Sequence, residues 1–264
     1  MKRIIGMIML CACLIGCAAN SNTSMVGEDS AAQKQAKAAQ INVQLGLGYF
    51  KQGDVQRAQE KLLRASEQAP NSPDVAGALG FYFERTGNIN QAKISYEKAI
   101  QLTKGQGPQL NNYGAFLCRQ GKYKQANQYF EKASADIHYI NLAGALENAG
   151  LCALAIPNIS LAEQFFERAF IKDPKRTKAL YELIKIAFEK KHYDVVLKRV
   201  EQYQLVNPLE ASIVWLGYQA AMKSGTKEKA ENFAWFLKNR FSQSFEYKQW
   251  LASSKNDNKQ SNIS

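Results

Sequence analysis

The strongest constraint on this chain is a recurrence of small residues every 34 positions. Gly46, Gly80 and Gly114 keep that step, and so do Gly53, Gly87 and Gly121. Ala58, Ala92 and Ala126 repeat it, as do Ala65, Ala99 and Ala133. Four columns in one register predict a stack of like units, each of which buries its apolar face only against a neighbour. The offsets within a unit fit two helices and a turn. The first glycine falls where one helix presses closest on its partner, and Tyr49, Phe83 and Leu117 follow three residues later. The second glycine opens a tight turn in Gly53-Asp54, Gly87-Asn88 and Gly121-Lys122, where a left-handed backbone costs glycine little. Five residues on, the alanine lets a second helix dock. Leu62, Tyr96 and Phe130 point into the same core at i+4. Pro70, Pro174 and Pro208 stop second helices, because proline cannot continue the hydrogen-bond ladder.

A helix-turn-helix period of this length, with small residues at these offsets, resembles the tetratricopeptide (TPR) repeat. The resemblance implies an all-α, right-handed superhelix of about six repeats over residues 31–252, with no strand of consequence. The first three units run about 39–72, 73–106 and 107–140. A two-residue slip precedes the fourth, about 143–176, which is anchored by Gly150, Ala162, Phe166, Ala169 and Pro174 and has Pro157-Asn158 at its turn. The fifth, about 177–210, keeps Leu180, Tyr193 and Pro208 but has Val196 in the small-residue column. The sixth, about 211–244, keeps Ala230 and is otherwise degenerate, as expected of a terminal unit. Residues 245–252, with Phe245, Tyr247, Trp250 and Leu251, are expected to form a helix capping the stack. Residues 253–264 are polar and are expected to be disordered.

Residues 1–16 read as a processing segment. Lys2 and Arg3 precede an apolar run that is too short to span a bilayer. Leu14-Ile15-Gly16-Cys17 closes it and resembles a bacterial lipobox, which implies cleavage before Cys17 and acylation of that cysteine. Three acyl chains would exceed what stable anchoring needs. Ala18 is not the Asp that typically retains such lipoproteins at the inner membrane, so the implied address is the periplasmic leaflet of the outer membrane. Residues 17–30 then form a flexible polar tether. The competing reading is an ordinary cleaved signal with Cys17 incidental.

Of the five cysteines, Cys11 and Cys13 leave with the leader and Cys17 carries lipid, so Cys118 and Cys152 remain. They fall at near-equivalent heights on the first helices of neighbouring units, and an oxidising periplasm allows a disulfide. Two small buried apolar residues are the alternative. The formal charge of +11 becomes +9 once Lys2 and Arg3 are removed. The cations are dispersed along helix faces, as in Lys122/Lys124 and Lys190/Lys191, without a nucleic-acid motif. Solvated faces account for them, and an acidic partner or anionic lipid surface is the alternative. The two histidines, His138 and His192, lack metal-spaced partners, and no nucleophile, phosphate-loop or dinucleotide motif occurs. The expectation is a protein-binding scaffold without enzymatic activity, cofactor, metal, nucleic-acid partner or small-molecule substrate.

One stretch narrows the family. Asn111-Asn112-Tyr113-Gly114-Ala115-Phe116-Leu117-Cys118-Arg119-Gln120-Gly121-Lys122-Tyr123 and Glu147-Asn148-Ala149-Gly150-Leu151-Cys152-Ala153-Leu154 resemble segments of the PilF/PilW-type type IV pilus biogenesis lipoproteins. The resemblance covers the whole mature chain, with its lipobox and six repeats, and departs from the family at the Pro157-Asn158 turn and in the polar tail after Trp250. It implies a pilotin that binds secretin subunits of the pilus pore, localises them to the outer membrane and promotes their multimerisation. A scaffold for cell-wall synthases or hydrolases is the rival class. First helices line the concave side of such stacks, so candidate groove residues are Leu47, Phe50, Phe81 and Arg85 in the first two units. In the third and fourth they are Asn111, Asn112, Arg119, Glu147, Asn148 and Leu151. Leu47, Phe50 and Phe81 are the expected anchors, and the three asparagines offer amides to a peptide backbone. The competing reading packs several of these, Leu47 and Leu151 above all, between units.

Overall fold

The computed structural model describes residues 30–156 and 158–261. The expected lipobox, Cys17, most of the tether and Pro157 lie outside them. Among the described residues the chain is all helical, thirteen helices in antiparallel pairs: α1 (Ala31–Lys51) with α2 (Val55–Gln68), α3 (Pro73–Arg85) with α4 (Ile89–Leu102), and α5 (Gly107–Arg119) with α6 (Tyr123–Ser134). The later pairs are α7 (Leu142–Leu154) with α8 (Ile159–Lys172), α9 (Thr177–Glu189) with α10 (Tyr193–Val206), and α11 (Ala211–Ser224) with α12 (Lys227–Arg240). A single helix, α13 (Phe245–Ser261), packs on the last pair. This is a TPR superhelix of six units.

The glycine columns have the roles their spacing predicts. A Cβ on Gly46 would sit 2.7 Å from the Leu62 side chain, and one on Gly80 2.8 Å from the Tyr96 ring. Gly150 faces Phe166 and Gly217 faces Phe233 at 2.7 and 2.8 Å, so each large second-helix residue fills the space its own glycine leaves. Ala58, Ala92, Ala126 and Ala162 beside them are fully buried.

The turn glycines Gly53, Gly87 and Gly121 have φ of 84°, 82° and 72°. In each turn the next residue's N–H donates back to a carbonyl of the first helix: Asp54 to Tyr49, Asn88 to Phe83, Lys122 to Leu117. That bond satisfies one of the carbonyls a helix end leaves open. Asp54 and Asn88 then cap the second helices by accepting from the Arg57 and Gln91 N–H groups. The fifth unit makes the same turn without glycine: Lys191 takes φ 61° and His192 N–H donates to the Ala187 carbonyl. Tertiary packing there holds an ordinary residue in a conformation it avoids elsewhere.

Second helices end before their prolines, α2 at Gln68, α8 at Lys172 and α10 at Val206. The C-terminus departs from expectation. Where sequence polarity predicts disorder from residue 253, α13 continues through Ser261. Once Phe245–Leu251 is ordered on the stack, each further residue adds a backbone hydrogen bond without a new nucleation cost.

Candidate functional site

The first helices α1, α3, α5 and α7 pack successively side by side. Their sequences order them independently of any partner: Ser30 and Gln33 form a capping box on α1, Ser72 caps α3, and prolines stand in the first turns of α3 and α5. Each of α1, α3 and α5 ends on a cation, Lys51, Arg85 and Arg119, which complements the negative helix terminus.

A groove of about 810 Å³ runs across the first three units and reaches α7 of the fourth. Its apolar wall is Leu47, Phe50 and Phe81, with Ala78 and Ala115. The Phe50 ring stands edge-on to both Phe81 and Tyr82, with ring centres 5.8 Å away in each case. Phe50 and Leu47 are half-buried against the first two units, whereas Phe81 is 38% exposed. These side chains thus pack between units and present surface to the groove at once.

The polar wall is built from Asn111, Asn112 and Asn148. Asn148 Nδ2 donates to Asn111 Oδ1 at 3.1 Å, and Asn111 Nδ2 donates to Asn112 Oδ1 at 3.4 Å. The buried Asn111 is consumed by this relay. The Asn112 amide NH₂ and the Asn148 carbonyl oxygen have no partner among the described residues.

Glu84 supports the third side. Its buried carboxylate accepts from Arg119 Nε at 2.5 Å, from Arg119 Nη2 at 2.8 Å and from the Tyr96 hydroxyl at 3.1 Å. This bidentate pair fixes the Arg119 guanidinium at the groove. The Glu84 hydrogen bond is the main cause that raises the Arg119 pKa. Burial, reinforced by Glu84, pushes the Tyr96 phenol well above its ordinary range, so it stays a donor. Lys51 and Arg85 are exposed and have no ion-pair partner among the described residues.

Eight of the ten sequence candidates therefore border one cavity. Two do not. Glu147 does not open to the groove: it is buried, accepts from Arg176 Nε at 2.8 Å and caps α9 by accepting from Ala179 N–H at 3.2 Å. A carboxylate at a helix N-terminus is stabilised by the unpaired N–H groups there, so Glu147 joins the fourth unit to the fifth. Leu151 is exposed on α7, but the groove wall ends at Asn148.

Sequence reasoning missed Lys51 and Tyr96. Lys51 was legible, since it stands one repeat before Arg85. Tyr96 belongs to the second helix α4 and reaches the groove only because Gly80 carries no side chain. Cys118 on α5 and Cys152 on α7 are joined in a disulfide, with Cα atoms 5.9 Å apart. It binds the two helices that carry the asparagine relay. No group of three or more His, Cys, Asp or Glu among the described residues is placed to hold a metal ion.

A tetratricopeptide-repeat family model matches residues 74–105, the second unit. The type IV pilus assembly protein PilF of Pseudomonas aeruginosa is 26% identical over 239 residues, covering 90% of this chain and 94% of PilF. An uncharacterised protein of Haemophilus influenzae is 34% identical over 154 residues, 58% of this chain and 86% of that one. The solved structure of Pseudomonas aeruginosa PilF superposes with a TM-score of 0.67 at 26% identity, over 83% of this chain and 99% of the other. That of PilW, described as a widely conserved type IV pilus biogenesis factor, gives 0.64 at 25% identity, over 81% and 98%. The chain belongs to the PilF/PilW-type TPR proteins. The motif residues that resemble this family, Asn111, Asn112, Arg119 and Asn148, are the polar side of the groove.

Proposed function

We propose that this protein is a type IV pilus biogenesis scaffold that binds secretin subunits in the groove formed by the first helices of its first four units, localises them to the outer membrane and promotes their multimerisation. The supporting observation is the groove itself: a channel lined by apolar side chains, amides and cations along the first helices of a PilF/PilW-type stack. Solenoid stacks bind extended segments on such surfaces. Acylation at Cys17 supplies the membrane affinity in this reading, and among the described residues no helix is long and apolar enough to cross a membrane.

The capture test uses variants whose melting temperatures match wild type. Truncating a central anchor costs about 2 kcal/mol or more, roughly thirtyfold in affinity. Phe50→Ala, Phe81→Ala and Asn112→Ala are therefore expected to reduce pull-down of the secretin and the yield of heat-resistant secretin multimers. Undiminished capture by all three moves the partner site off these repeats. The address is tested separately: Cys17→Ser is expected to shift the protein from the outer-membrane fraction to the soluble periplasmic fraction. A substituted protein that still fractionates with outer membranes refutes the lipid anchor.

A further inference from the structure

The three cations of the groove form a single column of the repeat. Lys51, Arg85 and Arg119 are each 34 residues apart, each ends the first helix of its unit, and all three border the cavity. The helix dipole accounts for a cation at each of these ends but does not require three of them to face one channel. At the corresponding positions of the fourth and fifth units stand Ala155 and Glu189, so the ladder ends with the third unit, and the groove reaches only Asn148 of the fourth. Among the described residues no carboxylate lines the cavity, and the nearby Glu84 is committed to Arg119 and Tyr96. Lys51 and Arg85 are thus left with positive charge toward a channel whose other wall is apolar.

The first helices of successive units pack on one another, and packed helices lie about 8–10 Å apart, so the helix ends that carry the cations are spaced by about that much. A polyproline II segment advances about 9 Å per three residues and returns every third side chain to the same face. A β-strand would put those side chains on opposite faces. We propose that the groove takes a polyproline II-like peptide segment with an acidic residue at about every third position and apolar residues between. Its carboxylates meet Lys51 and Arg85, whose charge no carboxylate of the groove offsets, and its apolar side chains meet Leu47, Phe50 and Phe81. Such a backbone makes no internal hydrogen bonds, so the open donor of Asn112 and acceptor of Asn148 have groups to pair with. This inference rests on the groove being the partner site and adds the chemistry of what enters it.

The test is fluorescence anisotropy of the intact chain in detergent with a labelled twelve-residue peptide carrying Glu at every third position and Leu and Pro between. Matched peptides carry Gln or Lys in place of Glu. The Glu peptide is expected to bind at least tenfold tighter than the Gln peptide, the Lys peptide not at all, and added salt is expected to narrow the difference. Lys51→Gln and Arg85→Gln, both at exposed unpaired positions, are each expected to weaken Glu-peptide binding about two- to fivefold. Equal binding of the Glu and Gln peptides, or a double variant that binds as wild type does, overturns the proposal. So does capture of phosphatidylglycerol vesicles that depends on Lys51 and Arg85 when the Glu peptide is not bound, since the cations then serve a lipid surface. Secretin capture lost in Phe50→Ala but intact in the double cation variant retains the partner site and removes the ladder. Charge-dependent peptide binding with secretin capture unmoved by Phe50→Ala retains the ladder and removes the secretin.

Discussion

Replacing Cys118 and Cys152 by Ala is expected to destabilise the third and fourth units by about 3–4 kcal/mol. The bridge closes a loop of 34 residues, and chain-entropy reasoning assigns a loop of that length this magnitude. The effect should be local, because in a stack each unit is held by its nearest neighbours. Hydrogen exchange in α5 and α7 is therefore expected to accelerate in the variant, while α11 and α12 exchange as in wild type. Reductant should reproduce the change in the wild-type protein and leave the variant unmoved. The groove is expected to suffer as well, because the asparagine relay spans the same two helices. Peptide mapping of protein purified without reductant should show the two cysteines linked, and two freely alkylatable thiols would refute the bridge.

Gly80→Val is expected to cost about 1–3 kcal/mol, the range for forcing extra carbons into a packed core. The first added carbon alone falls within 2.8–2.9 Å of three Tyr96 ring atoms. That ring has nowhere to retreat: it packs against Phe116 and Tyr113, with centres 5.2 and 6.4 Å away, and its hydroxyl holds Glu84. Any movement that relieves the clash disturbs the pair that fixes Arg119, so partner capture should fall with stability. Gly48→Ala is the control. It lies on the same kind of helix with nothing within 4 Å of an added Cβ, and is expected to stabilise by about 0.5–1 kcal/mol. The two are compared by urea denaturation. A Gly80→Val protein as stable as wild type would mean that the first-helix glycines do not set the helix separation.

The contrast between these two glycines shows what was legible beforehand. Gly80 announced itself because Gly46 and Gly114 stand one repeat away, and a repeated constraint leaves a repeated residue. Gly48 belongs to no column and has no packing role. The turn at Lys191 shows the converse: its backbone repeats the conformation of Gly53, Gly87 and Gly121 while its residue type does not, so the column was hidden there. The helix beyond residue 252 was hidden for a related reason, since its continuation draws on an already formed α13 and not on an apolar pattern of its own.

The groove divides along the same line. Sequence by itself determined the unit, its two helices, its turn and which columns point inward, because these follow from contacts within one unit or between adjacent ones and recur with the period. It determined too that Leu47, Phe50 and Phe81 share a face with Arg85 and the asparagines. Only the tertiary structure decided how far that face extends and which inward residues keep an opening to solvent. Glu84 and Glu147 are both inward acids on first helices, yet one holds Arg119 at the groove and the other is sealed between Arg176 and the start of α9. Tyr96 joins the site from a second helix through the gap at Gly80. These outcomes depend on side-chain reach between helices, within a unit for Tyr96 and across about one repeat for Arg119 and Arg176, and on how successive units rotate. A periodic pattern encodes the contact each unit makes with the next, and the cavity is the sum of several such contacts.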